Sequence, residues 1–324
     1  MPTASVVVPA FNVAKTLPAT LEALLAQSFE DMEIIIVDDG STDDTAQIAA
    51  QFASSPRIRV VTQANRGLAG ARNTGIAAAR GIYVGFCDAD DLWVPHKLAT
   101  HVAHLECAPD VGISYSGSEL VDDDGQPTGV SQRPALQGIT AARVFKRNPI
   151  GNGSAAVFRK AALDAIAYRP GFETQRNWVF DETFRQSEDI ECWMRLALTT
   201  DWLFEGVPGL LTQYRVNAGG LSAALDRQLA SWERMVTKLR PLHPTFFDQH
   251  EDAARAYQYR YLARRAVSSR DGKNAWALAT RACVTSRRPL IEEPLKTIVT
   301  LAASAVLKAL GPAPISYASR LLAR

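Results

Sequence analysis

The sequence predicts an α/β protein in which a mostly parallel central sheet is flanked by helices and followed by a helical C-terminal extension. Between Ser5 and Asp91, short apolar runs alternate with segments whose apolar residues recur at helical spacing. The runs are apolar at every position, which is typical of parallel strands covered by helices on both faces. Polar clusters follow three of the runs, at the strand ends where open α/β sheets bind their ligands.

The predicted elements of the first half are regular. Strands are expected at residues 5–8, 33–37, 58–61 and 82–87, with helices at 16–28, 46–52 and 69–79 between them. The second half is less regular, with a hairpin turn at 121–129, strands at 151–159 and 202–214, and a helix at 188–199. From residue 226 the pattern predicts helices to the C-terminus, including a helical hairpin over 253–285 that breaks at Asp271 and Gly272.

Composition excludes several classes of function. The 324 residues include 35 Lys and Arg and 34 Asp and Glu, so a net charge of +1 gives no general attraction for nucleic acid. The four cysteines form no CxxC pair, which argues against a structural zinc site or a disulfide framework and favours reduced thiols in the cytoplasm. The N-terminus lacks the basic region of a signal peptide, and the apolar run 298–310 is shorter than the roughly 20 residues that span a bilayer.

The segment DDGSTDDT, residues 38–45, follows the second predicted strand. Its glycine permits a sharp turn, and Ser41 or Thr42 is predicted to cap the next helix. Asp38 and Asp39 lie directly at the strand end, where a carboxylate can accept hydrogen bonds from a ribose or a base N–H. A capped loop between strand and helix is the alternative interpretation.

The segment FCDADD, residues 86–91, places three carboxylates at the end of the fourth predicted strand. Like charges at such a position are costly unless a cation compensates for them. Asp88 and Asp90, two apart on an extended segment, would point to the same side, and carboxylate oxygens suit Mg²⁺ or Mn²⁺. We therefore predict that these two residues hold a divalent cation beside a diphosphate, while Asp91 caps the following turn. A solvated acidic turn is the alternative.

The segment NRGLAGARNTGIAAARG, residues 65–81, contains three glycines that would let a helix start approach a ligand closely. Arg72 is predicted to bind phosphate or the carboxylates of the metal site. A helix of small residues packed on the sheet explains the alanines of this segment. It does not explain why Arg66, Arg72 and Asn73 are gathered just before the acidic strand end.

The segment SEDIECWMRLA, residues 187–197, predicts the start of an amphipathic helix with Ser187 as its cap. Glu188 and Asp189 serve either to stabilise the helix start or as a general base. Trp193 lies one turn beyond Asp189 on the same face, where its indole would form a wall of a sugar-sized pocket or pack in the core.

These segments, together with SVVVPAFN at the first strand, occur in an order that resembles an inverting family 2 glycosyltransferase of the GT-A fold. The resemblance covers about residues 4–222, and the ordered set is more specific than any single motif. It implies a Rossmann-like sheet and a catalytic domain over residues 1–225, with a nucleotide-binding half at 1–110 and an acceptor-binding half at 111–225. Residues 226–324 would form the helical C-terminal extension.

The resemblance also implies roles for single residues. Asp189 is the expected base with Glu188 beside it, and Asp90 and Asp88 are the expected metal ligands. The acceptor is assigned to Trp193 and Asn152. The nucleotide-sugar set comprises Pro9, Ala10, Asn12, Asp38, Asp39, Arg72, Asp88 and Arg215. The family often carries YRxHxxxxS, where this chain has YRVNAGGLS at 214–222. Asn217 thus stands at the histidine position, which removes an acid or metal role there.

The implied activity is transfer of a sugar, with inversion, from a nucleotide-diphosphate sugar to an acceptor hydroxyl. UDP is the default nucleotide, Mn²⁺ or Mg²⁺ the implied cofactor, and a lipid-linked or growing polysaccharide of a bacterial cell envelope the implied acceptor. A nucleotidyltransferase is one alternative, although PAFNVAK lacks the glycine-rich basic loop of that class. A non-catalytic nucleotide-sugar-binding protein is another, although it would be expected to lose one of the two acidic motifs.

The C-terminal extension is basic and contains the apolar run 298–310. A basic face beside an apolar helix suits an anionic membrane surface, which would place a cytoplasmic protein at the inner face of the cell membrane. The alternative is a helical appendage that packs on the catalytic domain or on a second subunit in a homodimer. No nucleic-acid partner is expected.

Overall fold

The computed structural model describes residues 1–216 and 225–311. They form two compact units. Residues 1–141 and 149–216 make up the first, and residues 142–148 and 225–311 make up the second. Asn217, singled out above, and the last predicted helical residues, 312–324, lie outside the described part of the chain.

The first unit is built on one mixed sheet. Its strands are β1 (Ala4–Ala10), β2 (Met32–Asp38), β3 (Ile58–Thr62), β4 (Tyr83–Phe86), β5 (Leu92–Trp93), β6 (Val111–Val121), β7 (Pro127–Gln132), β8 (Ala156–Arg159) and β9 (Leu203–Arg215). The helices up to this point in the chain are α1 (Leu17–Leu25), α2 (Thr45–Phe52), α3 (Gly67–Ala78), α4 (Lys97–Cys107), α5 (Ala141–Lys146), α6 (Lys160–Ala165) and α7 (Glu188–Thr199).

The strand order is β3-β2-β1-β4-β8-β6-β9-β5, with β7 paired to β6. The first four strands are mutually parallel, as the alternation of strands and helices predicts. Beyond β4 the sheet is mixed: β8 is antiparallel to both β4 and β6, whereas β6 and β9 are parallel. The predicted fold class, a mostly parallel sheet flanked by helices, is therefore confirmed.

The core of this unit follows from the apolar runs. Every residue of β1 and β2 is buried, which explains why those runs show no polar alternation. Leu17, Leu21 and Leu24 form the buried stripe of α1 at helical spacing. Helix α3 lies so close to β1 that a Cβ on Gly75 would stand 2.1 Å from a methyl carbon of Val7. The glycine is therefore a packing requirement.

Two local predictions are wrong. Neither Ser41 nor Thr42 caps α2, because the helix begins later, after Asp44. Asp43 instead accepts a hydrogen bond from the Thr45 N–H at 3.0 Å. The predicted strand at 151–159 is also shorter than expected, since Gly153–Ala155 forms a 3₁₀ turn ahead of β8.

The second unit is helical. It contains α8 (Leu225–Leu239), α9 (Pro244–Ser268), α10 (Gly272–Thr285), α11 (Arg288–Glu292) and α12 (Pro294–Leu310). The predicted break at Asp271 is confirmed, because its carboxylate accepts from the Asn274 N–H at 3.0 Å and starts α10. No helix in the described ranges is long and apolar enough to cross a membrane.

Residues 142–148 belong to this helical unit although they lie far from it in sequence. Phe145 stacks on Trp232 with ring centroids 5.6 Å apart and meets Phe247 edge-to-face at 5.1 Å. The predicted domain boundary at residue 225 instead assigned residues 142–148 to the catalytic domain. The boundaries of the two halves, 1–110 and 111–225, stay predictions.

Candidate active site

The acidic segment after β4 is a turn and not an extended strand end. The Asp91 N–H donates to the Asp88 carbonyl at 3.0 Å, which reverses the chain before β5 pairs with β9. The extended geometry predicted for Asp88 and Asp90 is therefore wrong. Both side chains nevertheless remain partly accessible to solvent, so they can still reach a ligand.

Asp91 is buried completely, and its predicted role as a cap of the next turn is wrong. Its carboxylate accepts hydrogen bonds from the Ser154 hydroxyl at 2.5 Å and from the Arg215 N–H at 3.0 Å. The same hydroxyl accepts from the Asp88 N–H at 2.9 Å. Burial, with the nearby charges of Asp88 and Asp90, raises the pKa of Asp91 well above its usual range. Asp91 thus ties the acidic turn to the 3₁₀ turn and to β9.

Arg72 joins the two acidic motifs. Its Nη2 lies 2.8 Å from Asp88 Oδ1 and its Nη1 lies 2.8 Å from Glu188 Oε1. The guanidinium is 2% exposed and lies over the rings of Phe86 and Phe180. Burial alone would lower the pKa of Arg72, but the surrounding carboxylates raise it above its ordinary value, so the side chain stays charged.

Of the two roles predicted for Arg72, the geometry favours binding of the site carboxylates over direct contact with the nucleotide. Both terminal nitrogens donate to carboxylates, and the group does not reach the surface. Its Nε has no hydrogen-bond partner within the described residues. Arg72 therefore positions Asp88 and Glu188 relative to each other.

Helix α7 begins at Glu188, as predicted, but Ser187 does not cap it. Ser187 has a left-handed backbone with φ of +61°, and its side chain makes no capping hydrogen bond. Such a conformation is strained for serine and is frequent near functional sites. Glu188 is buried against Arg72, whereas Asp189 is half-buried.

The pKa values of both residues of the acidic pair are raised. Burial raises the pKa of Glu188 to about 7, against an opposing effect of Arg72 and with a further contribution from Asp189. Burial also raises the pKa of Asp189, again opposed by Arg72. A carboxylate whose pKa is shifted towards neutrality is a better general base than an ordinary surface aspartate.

The structure bears differently on the two residues that were predicted to bind the acceptor, Trp193 and Asn152. Trp193 is a core residue, stacked on Phe158 with centroids 5.0 Å apart and edge-to-face with Phe180, and is 1% exposed. The proposed pocket-wall role is therefore wrong, and core packing was the correct alternative. Asn152 is also buried, and its amide nitrogen donates to Ser118 Oγ at 2.9 Å and to Gln132 Oε1 at 3.0 Å. Its acceptor role stays a prediction.

The loops after β1, β2 and β3 are tied together by the predicted nucleotide-binding residues. Asn12, in a left-handed conformation, accepts from the Thr42 N–H at 2.8 Å, and Asp38 accepts from the Ser41 N–H at 3.0 Å. Asp39 is buried and accepts from the N–H groups at the start of α3, those of Arg66 and Gly67, both at 2.8 Å.

In this arrangement Asp38 and Asp39 hold the loops in place, while Pro9 and Ala10 are buried at the end of β1. Their contact with a nucleotide stays a prediction. The sequence reasoning passed over Phe11, which is 47% exposed between Ala10 and Asn12. A large aromatic residue in a polar loop after a parallel strand was the signal that could have identified it as a candidate for ligand contact.

Asn73 was another unexplained polar residue, and its role is structural. Its Oδ1 accepts from the N–H groups of Val179 and Phe180 at 2.9 Å each, and its Nδ2 donates to the Phe180 carbonyl at 2.7 Å. Arg66 binds Glu182 at 2.7 Å and also pairs with Glu173. These contacts fasten the segment before α7 to helix α3, which no local sequence pattern could reveal.

Arg215 holds the acidic turn from the opposite side. Its Nε donates to the Asp90 carbonyl at 3.1 Å, and its Nη1 donates to the carbonyls of Asp122 and Asp123 at 2.8 and 2.6 Å. The guanidinium is thus engaged with main-chain oxygens of the turn and of the β6–β7 hairpin. A diphosphate contact through Arg215 stays a prediction.

The donor set of the acidic turn fits a hard divalent cation. Burial, reinforced by the charge of Asp88, raises the pKa of Asp90 to about 6, and the nearby charge of Arg215 opposes this rise. In the described ranges no group of three or more His, Cys, Asp or Glu side chains is arranged as a metal site. Mg²⁺ and Mn²⁺ are commonly held by one or two carboxylates with substrate phosphates as further ligands, so Asp88 and Asp90 suit such an ion.

Three polar loops, an acidic turn and an acidic helix start gather at the ends of the parallel strands, which is where open α/β sheets bind their ligands. Glycosyl transferase family 2 matches residues 5–167, and this chain belongs to that family.

Relatives and solved structures agree with this placement. The UDP-Glc:alpha-D-GlcNAc-diphosphoundecaprenol beta-1,3-glucosyltransferase WfaP of Escherichia coli is 37% identical over 230 residues, which are 69% of this chain and 82% of the relative. An uncharacterized glycosyltransferase of Nostoc sp. is 42% identical over 113 residues, and the uncharacterized glycosyltransferase EpsJ of Bacillus subtilis is 49% identical over 92 residues. These two matches cover only 35% and 27% of the relatives' own length.

The structural matches show the GT-A fold. Residues 1–349 of Staphylococcus aureus TarS in complex with UDP match with a TM-score of 0.59 and 18% identity, over 94% of this chain and 91% of that one. The mannosyltransferase PcManGT of Pyrobaculum calidifontis, in complex with GDP-Man and Mn²⁺, matches with a TM-score of 0.55 and 20% identity, over 95% and 87% of the two chains.

Proposed function

We propose that this protein is an inverting glycosyltransferase that moves a sugar from a nucleotide-diphosphate sugar to an acceptor hydroxyl. One observation carries the proposal: Arg72 binds Asp88 of the acidic turn and Glu188 of the acidic pair, each at 2.8 Å. The residues suited to a donor diphosphate and those suited to activating a hydroxyl are therefore held in a single site. A protein that only binds nucleotide sugars has no need of the second set.

Asp189 is the proposed general base. Its neighbour Glu188 is buried and paired with Arg72, whereas Asp189 is half-buried and forms no ion pair with the residues that the structure describes. Its raised pKa makes the carboxylate a stronger acceptor for the proton of the attacking hydroxyl. Attack from the face opposite the leaving diphosphate inverts the anomeric carbon in a single displacement, without a covalent intermediate.

Asp88 and Asp90 are the proposed ligands of a Mn²⁺ or Mg²⁺ ion. Such an ion, when bound, supplies neutralisation of the charge that develops on the departing diphosphate. The complex of PcManGT with GDP-Man and Mn²⁺ supports this assignment by analogy of fold. The role of this chain's own residues is to keep the two carboxylates at the surface of the turn, which Arg215 and Asp91 anchor from behind.

The nucleotide is proposed to lie over the loops after β1 and β2, where Asn12, Asp38 and Asp39 are gathered and where Phe11 offers an exposed ring for a base. UDP is the proposed nucleotide, supported by the UDP complex of TarS and by the UDP-Glc in the name of WfaP. That name also supports a lipid-linked saccharide as the acceptor. A polysaccharide acceptor is supported by a chondroitin synthase of Escherichia coli, 33% identical over 126 residues.

A transfer assay tests the proposal. The full chain is incubated with Mn²⁺, with UDP-, GDP- or dTDP-sugars, and with a saccharide on a diphosphate-linked polyprenol. We expect release of the nucleoside diphosphate together with a product one sugar longer. Release of pyrophosphate from a nucleoside triphosphate, without sugar transfer, would instead identify a nucleotidyltransferase. Binding of the sugar nucleotides without turnover under any of these conditions would identify a binding protein.

A further inference from the structure

Helix α12 of the helical unit carries its apolar residues on the outside. The residues that it buries are Thr297, Thr300, Ser304 and Leu307, of which three are hydroxyl residues. Its exposed large apolar side chains are Leu295, Ile298, Val299, Val306 and Leu310, with Leu295 74% exposed. An amphipathic helix of a water-soluble unit normally has the opposite arrangement.

The hydroxyl groups on the buried side of α12 form hydrogen bonds within the helical unit. Thr297 Oγ1 donates to the Pro289 carbonyl at 2.6 Å and accepts from Arg260 Nη1 at 2.8 Å. The small side chains let α12 approach its neighbours closely, and Leu307 closes a cluster with Ala266 and Ala275. The exposed apolar residues are therefore not needed to satisfy the buried polar groups of this helix, and an apolar surface of this kind usually has a binding role.

A groove runs along this surface, between α9 and α12. It has a volume of about 320 Å³ and is lined on one side by Tyr261, Arg264 and Arg265 and on the other by Val299 and Ala303. Arg264 and Tyr261 are exposed. Guanidinium groups bind phosphate oxygens well, and tyrosine rings favour the boundary between apolar and aqueous surroundings.

The charged residues are distributed unevenly between the two parts of the chain. Residues 1–225 contain 18 Lys and Arg and 26 Asp and Glu, whereas residues 226–324 contain 17 Lys and Arg and 8 Asp and Glu. The overall charge of +1 thus conceals an acidic first part and a strongly basic second part. A basic segment with an apolar helix is attracted to an anionic lipid surface by both its charge and its apolar area.

We propose that the helical unit docks on an anionic phospholipid bilayer through the α12 face, which we define as the exposed side chains of Leu295, Ile298, Val299, Val306 and Leu310. In this arrangement the apolar side chains enter the headgroup boundary, while Arg264 at the groove binds lipid phosphate. The helix lies on the membrane and does not cross it. The inference concerns a part of the chain outside the proposed catalytic site, so it does not rest on the proposed function.

A second copy of the chain is a less suitable partner for the α12 face. In a two-fold dimer the same patch of each copy meets the other, so two strongly basic segments would be brought together. Like charges at an interface are unfavourable, whereas anionic headgroups neutralise them. The charge of the segment, and not its apolar residues alone, selects the lipid surface.

Vesicle flotation of the full-length chain tests the proposal. Vesicles of phosphatidylglycerol and phosphatidylcholine are compared with vesicles of phosphatidylcholine alone. We expect the chain to float with the anionic vesicles. About 0.5 M NaCl should lower the vesicle-bound fraction severalfold, because the charges are then screened. The combined variant Leu295→Ser, Ile298→Ser and Val299→Ser should bind anionic vesicles at least about tenfold less, because its apolar insertion is lost.

The matched control makes the same number of apolar-to-serine changes at exposed positions of the first unit: Ile82→Ser, Val130→Ser and Leu203→Ser. It should bind like the wild type, and circular dichroism and urea unfolding should show both variants folded. Equal binding to neutral and anionic vesicles, or undiminished binding of the α12 variant, overturns the proposal. A concentration-dependent dimer that the α12 variant abolishes, with vesicle binding unchanged, would show that the face binds a second copy instead.

Discussion

Arg72 connects the two acidic motifs. It is buried between Asp88 and Glu188 and lies over two aromatic rings, and these two carboxylates, together with the nearby charge of Asp189, compensate its charge. The sequence analysis predicted that Arg72 binds either phosphate or the carboxylates of the metal site. It could not tell phosphate binding from carboxylate binding, because the partner Glu188 lies more than a hundred residues further along the chain.

We expect Arg72→Met to destabilise the protein by about 3–5 kcal/mol, since removing one partner leaves buried charge uncompensated. Urea unfolding measures the loss. The matched control is Arg288→Met, which breaks an exposed pair with Glu292 and should cost about 1 kcal/mol or less. Equal losses for the two variants would show that Arg72 is not an essential bridge.

Asp189→Asn should reduce sugar transfer by about 10²- to 10⁴-fold, because an amide cannot accept the proton of the attacking hydroxyl. Nucleotide binding, followed as a shift in thermal unfolding with UDP, should persist. Asp164→Asn is the control, since Asp164 is an exposed residue paired with the neighbouring Lys160. Transfer at nearly the wild-type rate in Asp189→Asn would assign the base elsewhere.

Removal of divalent metal should abolish transfer, and Mn²⁺ should restore it, if Asp88 and Asp90 hold the ion beside the diphosphate. The measurement is transfer after treatment with EDTA and desalting, with and without added Mn²⁺. Asp90→Asn should need a higher Mn²⁺ concentration than the wild type. Full activity in the presence of excess EDTA would remove the metal from the proposed mechanism.

At the scale of elements, helix α3 shows how one position fixes the fit of a helix on the sheet. We expect Gly75→Ala to destabilise the protein by about 1–3 kcal/mol, because the new methyl would overlap Val7 of β1. Gly171→Ala is the control, since a Cβ there meets nothing within 4 Å. Urea unfolding of the two variants compares them, and equal stabilities would mean that α3 can shift without cost.

Elements were predictable from the sequence where local pattern decides them. Helix α7 begins and ends at the predicted residues because its apolar spacing and acidic start are local signals. The acidic turn was only the alternative to an extended segment in the sequence analysis, because its direction depends on the pairing of β5 with β9, strands that are about 120 residues apart. Trp193 was ambiguous for a related reason: helical spacing shows the face on which a residue lies but not what covers that face.

For the whole molecule, the buried ammonium of Lys97 should make stability depend on pH. Burial lowers the pKa of Lys97 to about 7, against the ordinary value of 10.5 in the unfolded chain. Between these values the unfolded chain binds more protons than the folded one, so the free energy of unfolding rises with pH. From pH 7 to pH 9 the rise attributable to Lys97 should be about 2 kcal/mol.

Urea unfolding at pH 7 and pH 9 measures this rise in the wild type and in Lys97→Met, which should lack it. The exposed Lys160→Met is the control and should keep it. The buried thiol of Cys87, whose pKa burial raises, opposes the rise at higher pH, and because the charge of Lys97 lowers that pKa, the opposing effect begins at still higher pH in Lys97→Met. Identical pH dependence in the wild type and Lys97→Met would show that Lys97 is protonated in the folded state at pH 9.

The crossing of residues 142–148 into the helical unit has a consequence for how such a chain can evolve. An appendage attached at one end can be gained, lost or exchanged by a single recombination event. Here an exchange at residue 225 would bring in helices without the partner of Phe145, and would leave Phe145 without Trp232. The two units are therefore expected to be inherited together, so that the helical part changes by point substitution and not by replacement.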